Sequence, residues 1–234
     1  AAQPRKALPP EPPTHLLRPQ AAQIGGDRAT ARRIFEAMLA APDTEPRVEL
    51  AAFPQPGKLT YAVIRDGDKI GSQVVEFQRN GDQLLVLTTV KIEVTLLGIT
   101  IYRFVHRSEE EWKGGELARL TSNTDDDGDK RVVDLRLVDG KLKGAYNGQA
   151  KEFPVGMIPA TFWHPDSMKQ TKLLDQVKAR PRQITVKDLG SETITAQGKK
   201  IEARHFSVSG QIKREIWYGP DGRLEKLAFE GKDG

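Results

Sequence analysis

The chain has 234 residues, of which 38% are hydrophobic and 29% charged, and no stretch approaches the ~18 consecutive apolar residues of a membrane-spanning helix. Lysine and arginine number 36 against 32 acidic residues, and a net charge of only +4 with 6% aromatic residues disfavours nucleic-acid binding. Cysteine is absent, which excludes thiol catalysis, disulfide bonds and cysteine-ligated metals.

Residues 1–56 hold ten of the 15 prolines and are predicted to form an extended arm, because proline fixes φ and removes a backbone donor. Within this arm, apolar residues at three- and four-residue spacing predict a short helix at about 27–41. Asp27 caps its start and Pro42 ends it. The helix either packs on the main domain or docks a partner or membrane surface, and the pattern leaves both alternatives open.

The chain begins at Ala1 without an initiator methionine or a charged, apolar leader. Such a start is typical of an exported protein whose signal peptide has been removed, the alternative being a trimmed chain. Absence of cysteine is compatible with an oxidising compartment. We therefore expect a periplasmic or secreted location.

Residues 57–234 are predicted to form one antiparallel β domain. Leu84–Leu97 alternates apolar and polar residues, and Gly98 permits a bend into the next strand at 99–106. Asparagine–glycine, aspartate–glycine and glycine–glycine pairs suit two-residue hairpin turns. They recur at Asp66-Gly67, Asn80-Gly81, Gly114-Gly115, Asp127-Gly128, Asp139-Gly140, Asn147-Gly148 and Asp221-Gly222. Long, one-sided strands in a meander predict a mainly β fold, a curved sheet that forms an open or half barrel.

One inserted helix is predicted at about 165–179. Pro165 suits a first helical turn, Leu173, Leu174 and Val177 form an apolar face, and Pro181 ends the segment.

An acidic segment has the spacing of a calcium loop, with candidate ligands Asn123, Asp125, Asp127 and Asp129. Its flanks alternate as strands, so the alternative is an acidic hairpin tip in water. His106 lies close in sequence to Glu109, Glu110 and Glu111, as a proton-transfer pair or as a locally bonded strand residue. No nucleophile motif or phosphate loop is present, and no cofactor is implied.

Aromatic residues concentrate at strand centres and at the entrance of the predicted helix. On a curved sheet, some of them face the concave side and line an apolar pocket, the alternative being ordinary core packing. The predicted ligand-binding residues are Tyr102, Phe104, Trp163 and Trp217, with His164 at the rim.

Five segments resemble an uncharacterised family of bacterial exported proteins: TYAVIRDGDKIGSQVVEF, LLGITIYRFVHRSEEEW, LTSNTDDDGD, FWHPDSMKQTKLLD and IWYGPDGRLEKLAF. The likeness covers residues 57–230 and implies export but no activity or catalytic residue. More loosely, the closing segments Ile216–Tyr218 and Gly222–Leu224 are similar in outline to those of lipoprotein carriers. That fold is an unclosed barrel that shelters acyl chains under helices.

These observations support three functional hypotheses. The preferred one is an exported, non-catalytic binding protein with an apolar concavity for a lipid or other hydrophobic ligand. The second is an interaction or assembly module that docks an exported partner through the N-terminal arm and helix. The third is a metal-dependent or acid/base enzyme.

Overall fold

Thirteen β-strands and one short 3₁₀ helix make up the part of the chain that the computed structural model describes, residues 57–196 and 198–229. The predicted N-terminal arm and its helix at 27–41 lie outside these residues. The strands are β1 (Gly57–Arg65), β2 (Asp68–Asn80), β3 (Gln83–Leu96), β4 (Ile99–Lys113), β5 (Glu116–Asp126), β6 (Asp129–Val138), β7 (Lys141–Tyr146), β8 (Gln149–Pro154), β9 (Lys172–Asp175), β10 (Arg180–Ala196), β11 (Lys199–Gly210), β12 (Arg214–Tyr218) and β13 (Leu224–Ala228). Over these two ranges, no helix has the length and apolar character needed to cross a bilayer.

The first sheet contains β1 to β8 in chain order, each antiparallel to the next. Its turns use the predicted residue pairs: Asp127 and Gly128, for example, have φ angles of 54° and 93°. Both residues of a two-residue hairpin turn need positive φ, which aspartate tolerates and glycine adopts freely. The antiparallel hairpins are therefore confirmed.

The second sheet has the order β13-β12-β11-β10-β9. Its longest strand, β10, covers 17 residues and joins two segments that alternate separately in the sequence, with a bulge between Asp188 and Gly190. In the described chain, the first sheet ends at β1 on one side and at β8 on the other, and these edges do not pair. The fold is mainly antiparallel β, as predicted, and the first sheet does not close into a barrel.

The two sheets share one hydrophobic core, to which the connection between them contributes Ile158, Phe162 and Trp163. One hydrogen bond also joins the two sheets, and another joins the second sheet to the connection. The Tyr61 hydroxyl donates to the Leu224 carbonyl at 2.8 Å. The Tyr218 hydroxyl donates to the Phe162 carbonyl at 2.7 Å, which helps to hold Phe162 at its positive φ of 59°.

The predicted helix at 165–179 is wrong beyond its first turn. A 3₁₀ helix spans Pro165–Lys169, and the chain then enters strand β9. Leu173 and Leu174 are both fully buried, and Leu174 exchanges backbone hydrogen bonds with the connection between the sheets, at Ile158 and Ala160. Strand geometry prevails because these backbone partners, and the pairing with β10, satisfy the chain from both sides.

Replacing Tyr218 by phenylalanine tests its hydrogen bond to the Phe162 carbonyl. Y218F leaves the buried Phe162 carbonyl without its donor, so we expect the free energy of unfolding to fall by about 1–3 kcal/mol in urea titrations. Y146F is the matched control, since Tyr146 is only half-buried, and it should change the value by less than about 0.5 kcal/mol. Equal effects of the two variants would contradict a role for the Tyr218 hydroxyl.

Candidate functional site

Two of the predicted ligand-binding residues, Trp163 and His164, lie together in the core. Trp163 packs edge-on against Phe77 and against Trp112, with 5.5 Å between ring centroids in each pair. The His164 ring lies 5.1 Å from the rings of both Trp112 and Trp163. Trp163 and His164 are each only 4% exposed, so these two side chains fill the core.

A fully buried carboxyl group, Glu110, lies against the same two tryptophans. The Trp112 indole N–H donates to Glu110 Oε2 at 3.0 Å, and the Trp163 indole N–H donates to the same oxygen at 3.1 Å. Burial raises the pKa of Glu110 to about 7, while the indole donors oppose that rise. This carboxyl holds or releases one proton near neutral pH, but its surroundings shield it from a substrate.

A small cleft lies beside this aromatic cluster. Its volume is about 180 Å³, below the ~300–1,000 Å³ typical of small-molecule sites. Trp112 and His164 reach the cleft from the core, and Glu116, Asp166 and Gln170 supply polar groups. The His164 Nδ1 accepts the Asp166 backbone N–H at 3.2 Å, and burial lowers the pKa of His164. The cleft accommodates only a small molecule.

Buried polar side chains occupy the same sheet face, next to Glu110 along the strands. Thr88 lies opposite Ser108, Ser108 lies opposite Ser122, and His106 lies opposite Thr124. The His106 Nδ1 lies 2.8 Å from the Thr124 hydroxyl. Among the described residues, no partner reaches the Thr88 hydroxyl, the Ser108 hydroxyl or His106 Nε2. We call this group of five residues the polar core patch.

Of the two alternatives for His106, the structure shows the locally bonded strand residue and not a pair with a neighbouring glutamate. Glu110 lies four residues further along β4, which corresponds to about 13 Å at the rise of an antiparallel strand. Glu109 and Glu111 project from the opposite face, where both approach Arg119. Burial lowers the pKa of His106 to about 4, so its ring is neutral at physiological pH.

Tyr102 and Phe104 continue the same face of β4 toward the β3–β4 turn. They are half-buried, as are Ile92 and Val94, which pair with them on β3. We call Ile92, Val94, Tyr102 and Phe104 the apolar end of the sheet. The Tyr102 hydroxyl donates to Asp126 at 2.7 Å, and burial together with this bond raises its pKa to about 12.

Trp217 lies apart from the other predicted residues, in a separate small cluster with Ile194 and Ala203. Its ring stacks on His205 at 4.2 Å, and its indole N–H donates to Glu192 at 2.5 Å. The second sheet holds this cluster through the β11–β12 pairing of His205 with Trp217.

The acidic segment forms the β5–β6 hairpin tip. Asp125 accepts the Gly128 backbone N–H at 2.8 Å, which stabilises the turn, and Asp129 pairs with Arg131. Asn123 lies further along β5, opposite Val132, and Asp127 is at the exposed turn. Within the described ranges, no group of three or more histidine, aspartate or glutamate side chains converges as metal ligands do.

The predicted ligand residues thus fall in three places: Trp163 with His164, Tyr102 with Phe104, and Trp217. Sequence reasoning missed Glu110 as a buried group. The sequence did contain a signal for this burial. Glu110 and Trp112 are two residues apart, and alternate residues of a strand lie on the same face, so this spacing places Glu110 beside Trp112.

Most of the chain matches the model of one known family. Residues 61–234 match the family model described as a domain of unknown function, DUF6134. The chain belongs to this family. No curated protein and no solved structure matches it. The expected likeness to an uncharacterised family is confirmed, and that family supplies no activity.

Glu110→Gln tests the buried carboxyl. The folded state binds its proton up to about pH 7, above the ordinary pKa of 4.5, so Glu110 reduces stability as the pH rises between these values. The free energy of unfolding of the native chain minus that of E110Q should therefore fall across this window, by at most about 1.4 kcal/mol per pH unit. E111Q, on the opposite face, is the control, and a flat difference for E110Q would contradict the raised pKa.

His106→Gln tests the second buried group, whose effect has the opposite sign. The unfolded chain binds a proton near pH 6.5 and the folded chain only near pH 4, so the stabilisation is lost as the pH falls through this window. The native-minus-H106Q difference, measured by urea titration, should increase as the pH rises from 4 to 6.5. A difference that decreases over this range would show that the ring is charged in the folded protein.

Proposed function

We propose that this chain is an exported, non-catalytic binding protein whose ligand is a lipid or another hydrophobic molecule held at the apolar end of the sheet. The observation that carries the proposal is a change of burial along one face of β3 and β4. Val86 and Glu110 are buried on this face, whereas Ile92, Val94, Tyr102 and Phe104 are only half-buried.

The chemistry of this end suits an apolar ligand with a polar group at one edge. Gly71 pairs with Ile92 and adds no side chain to the face, and Val63 follows on β1. A Cβ atom at Gly71 would lie 2.1 Å from the Lys91 carbonyl oxygen, so the β2–β3 contact at this position requires glycine. The Tyr102 hydroxyl, bonded to Asp126, provides a polar edge. Covering each methylene equivalent of such a face contributes about 0.8 kcal/mol before the costs of binding.

The close packing of the core leaves too little space for an acyl chain around Trp163 and His164, so the proposed site is the apolar end of the sheet. Trp163 is enclosed by other aromatic rings, and the cleft beside His164 is too small for an acyl chain. Tyr102 and Phe104 are the predicted ligand residues that keep accessible apolar surface on a shared face. The acid/base alternative lacks the contact it needs, since His106 and Glu110 are well separated along β4.

Titration with a fluorescent fatty acid, kept below its micelle concentration, tests the proposal. The native chain should show a saturable fluorescence increase, and F104A should weaken the affinity by at least about fivefold because the face loses one of its two aromatic rings. V94S is a second variant with the same expectation, because Val94 is half-buried on the same face.

Val132→Ala is the matched control, since Val132 is an exposed apolar residue on β6. It should bind as the native chain does, and thermal unfolding should confirm that all variants fold. Absence of saturable binding to the native chain, or binding by F104A and V94S that is as tight as that of the native chain, would overturn the proposal.

A further inference from the structure

The tip of the β3–β4 hairpin carries four exposed, large apolar side chains. Leu97 is 95% exposed and Ile99 68%, and the corresponding values for Leu96 and Ile101 are 59% and 54%. No charged residue occurs from Val94 to Tyr102. A single exposed leucine is common, but four large apolar side chains around one turn form a contiguous patch, and such a patch usually marks an interaction site.

Only the base of this hairpin pairs with its neighbours. The pairing of β3 with β2 ends at Ile92, and the pairing of β4 with β5 begins at Phe104, so the intervening residues pair only with each other, as a two-stranded arm. Leu97 is five residues beyond Ile92, or about 16 Å along the strand. The tip therefore lies beyond the last pairing with either neighbouring strand.

The backbone conformation of Leu97 is unfavourable for a leucine. Its φ of 51° places it in the left-handed region, at a turn position where the corresponding hairpins have Asp66, Asp127, Asp139 and Asn147. A leucine in this conformation costs about 1–2 kcal/mol, and its exposed side chain returns no burial energy within the chain. Such a residue fits a position whose stabilisation comes from outside the protein.

Charged residues of both signs surround the base of the arm. Lys91 and Arg103 are exposed there, against the acidic residue Glu93, and Arg107 lies further into the sheet. The adjacent β5–β6 turn is net acidic, because residues 125–131 carry two basic and four acidic side chains, 2 − 4 = −2. An apolar tip with charges of both signs behind it matches the order of layers in a lipid surface, where the headgroups cover the apolar interior.

We propose that Leu96, Leu97, Ile99 and Ile101 insert into the interfacial region of a lipid bilayer, with Lys91 and Arg103 at the headgroups. The inference rests on the proposed function, because the tip is continuous with the apolar end of the sheet, and it specifies a membrane as the source of the hydrophobic ligand. A second copy of the chain fits less well. Covering these side chains removes on the order of 500 Å² per copy, below the ~800 Å² per partner of a standard protein interface.

Sedimentation with vesicles tests the inference. The native chain should bind vesicles of phosphatidylcholine mixed with phosphatidylglycerol. The double variant L97S/I99S should lose at least about tenfold in affinity for the mixed vesicles. V132S/V138S removes two exposed valines elsewhere and should bind as the native chain does.

Leu97→Trp provides a direct readout, because Trp112, Trp163 and Trp217 are buried and give a constant background. The added indole emission should shift to shorter wavelength with mixed vesicles and be quenched by brominated lipid. No shift and no quenching, or equal sedimentation of L97S/I99S and the native chain, would overturn the inference.

The outcomes separate this inference from the proposed function. Retained binding of monomeric fatty acid without vesicle binding overturns the membrane contact alone, whereas loss of both overturns the proposed function as well. A concentration-dependent dimer that L97S/I99S abolishes, seen by analytical ultracentrifugation without vesicle binding, would assign the tip to a second copy and overturn the membrane contact.

Discussion

Alternation of side chains along β4 places six successive residues of one face in very different surroundings. Trp112 and Glu110 lie in the closed core, Ser108 and His106 in the polar core patch, and Phe104 and Tyr102 at the half-exposed apolar end. Since a strand cannot turn one residue to the other face without a bulge, all six environments follow from one pairing register. The core, the buried titratable groups and the proposed binding surface are thus consequences of how β4 pairs with β3 and β5.

Two buried titratable groups on this face counteract one another. Burial disfavours the charged form of each, so it raises the pKa of the Glu110 carboxyl and lowers that of the His106 imidazole. Both groups are consequently neutral in mildly acidic solution, and their contributions to the pH dependence of stability have opposite signs. Because both groups are neutral there, neither needs a buried counter-ion.

At the tip of the β3–β4 arm, the residue type does not suit the local backbone conformation. Elsewhere the turns of the first sheet carry aspartate, asparagine or glycine at positions that need positive φ, whereas the longest hairpin has Leu97. Natural sequences follow local preferences closely and depart from them mainly where function demands it. The packed sheet therefore maintains the fold, whereas the exposed tip is the part of the chain that we propose to contact lipid.

The amino-acid sequence by itself determined the antiparallel hairpins, because turn pairs such as Asp139-Gly140 and the alternation of Leu84–Leu97 are local signals. Tertiary structure alone decided that Leu173 and Leu174 form a strand, since their backbone partners come from a distant part of the chain. It also decided which aromatic residues share a surface. Trp163 joins a closed core while Phe104 keeps accessible area, because coverage by the second sheet depends on contacts between residues far apart in the chain, which no local pattern encodes.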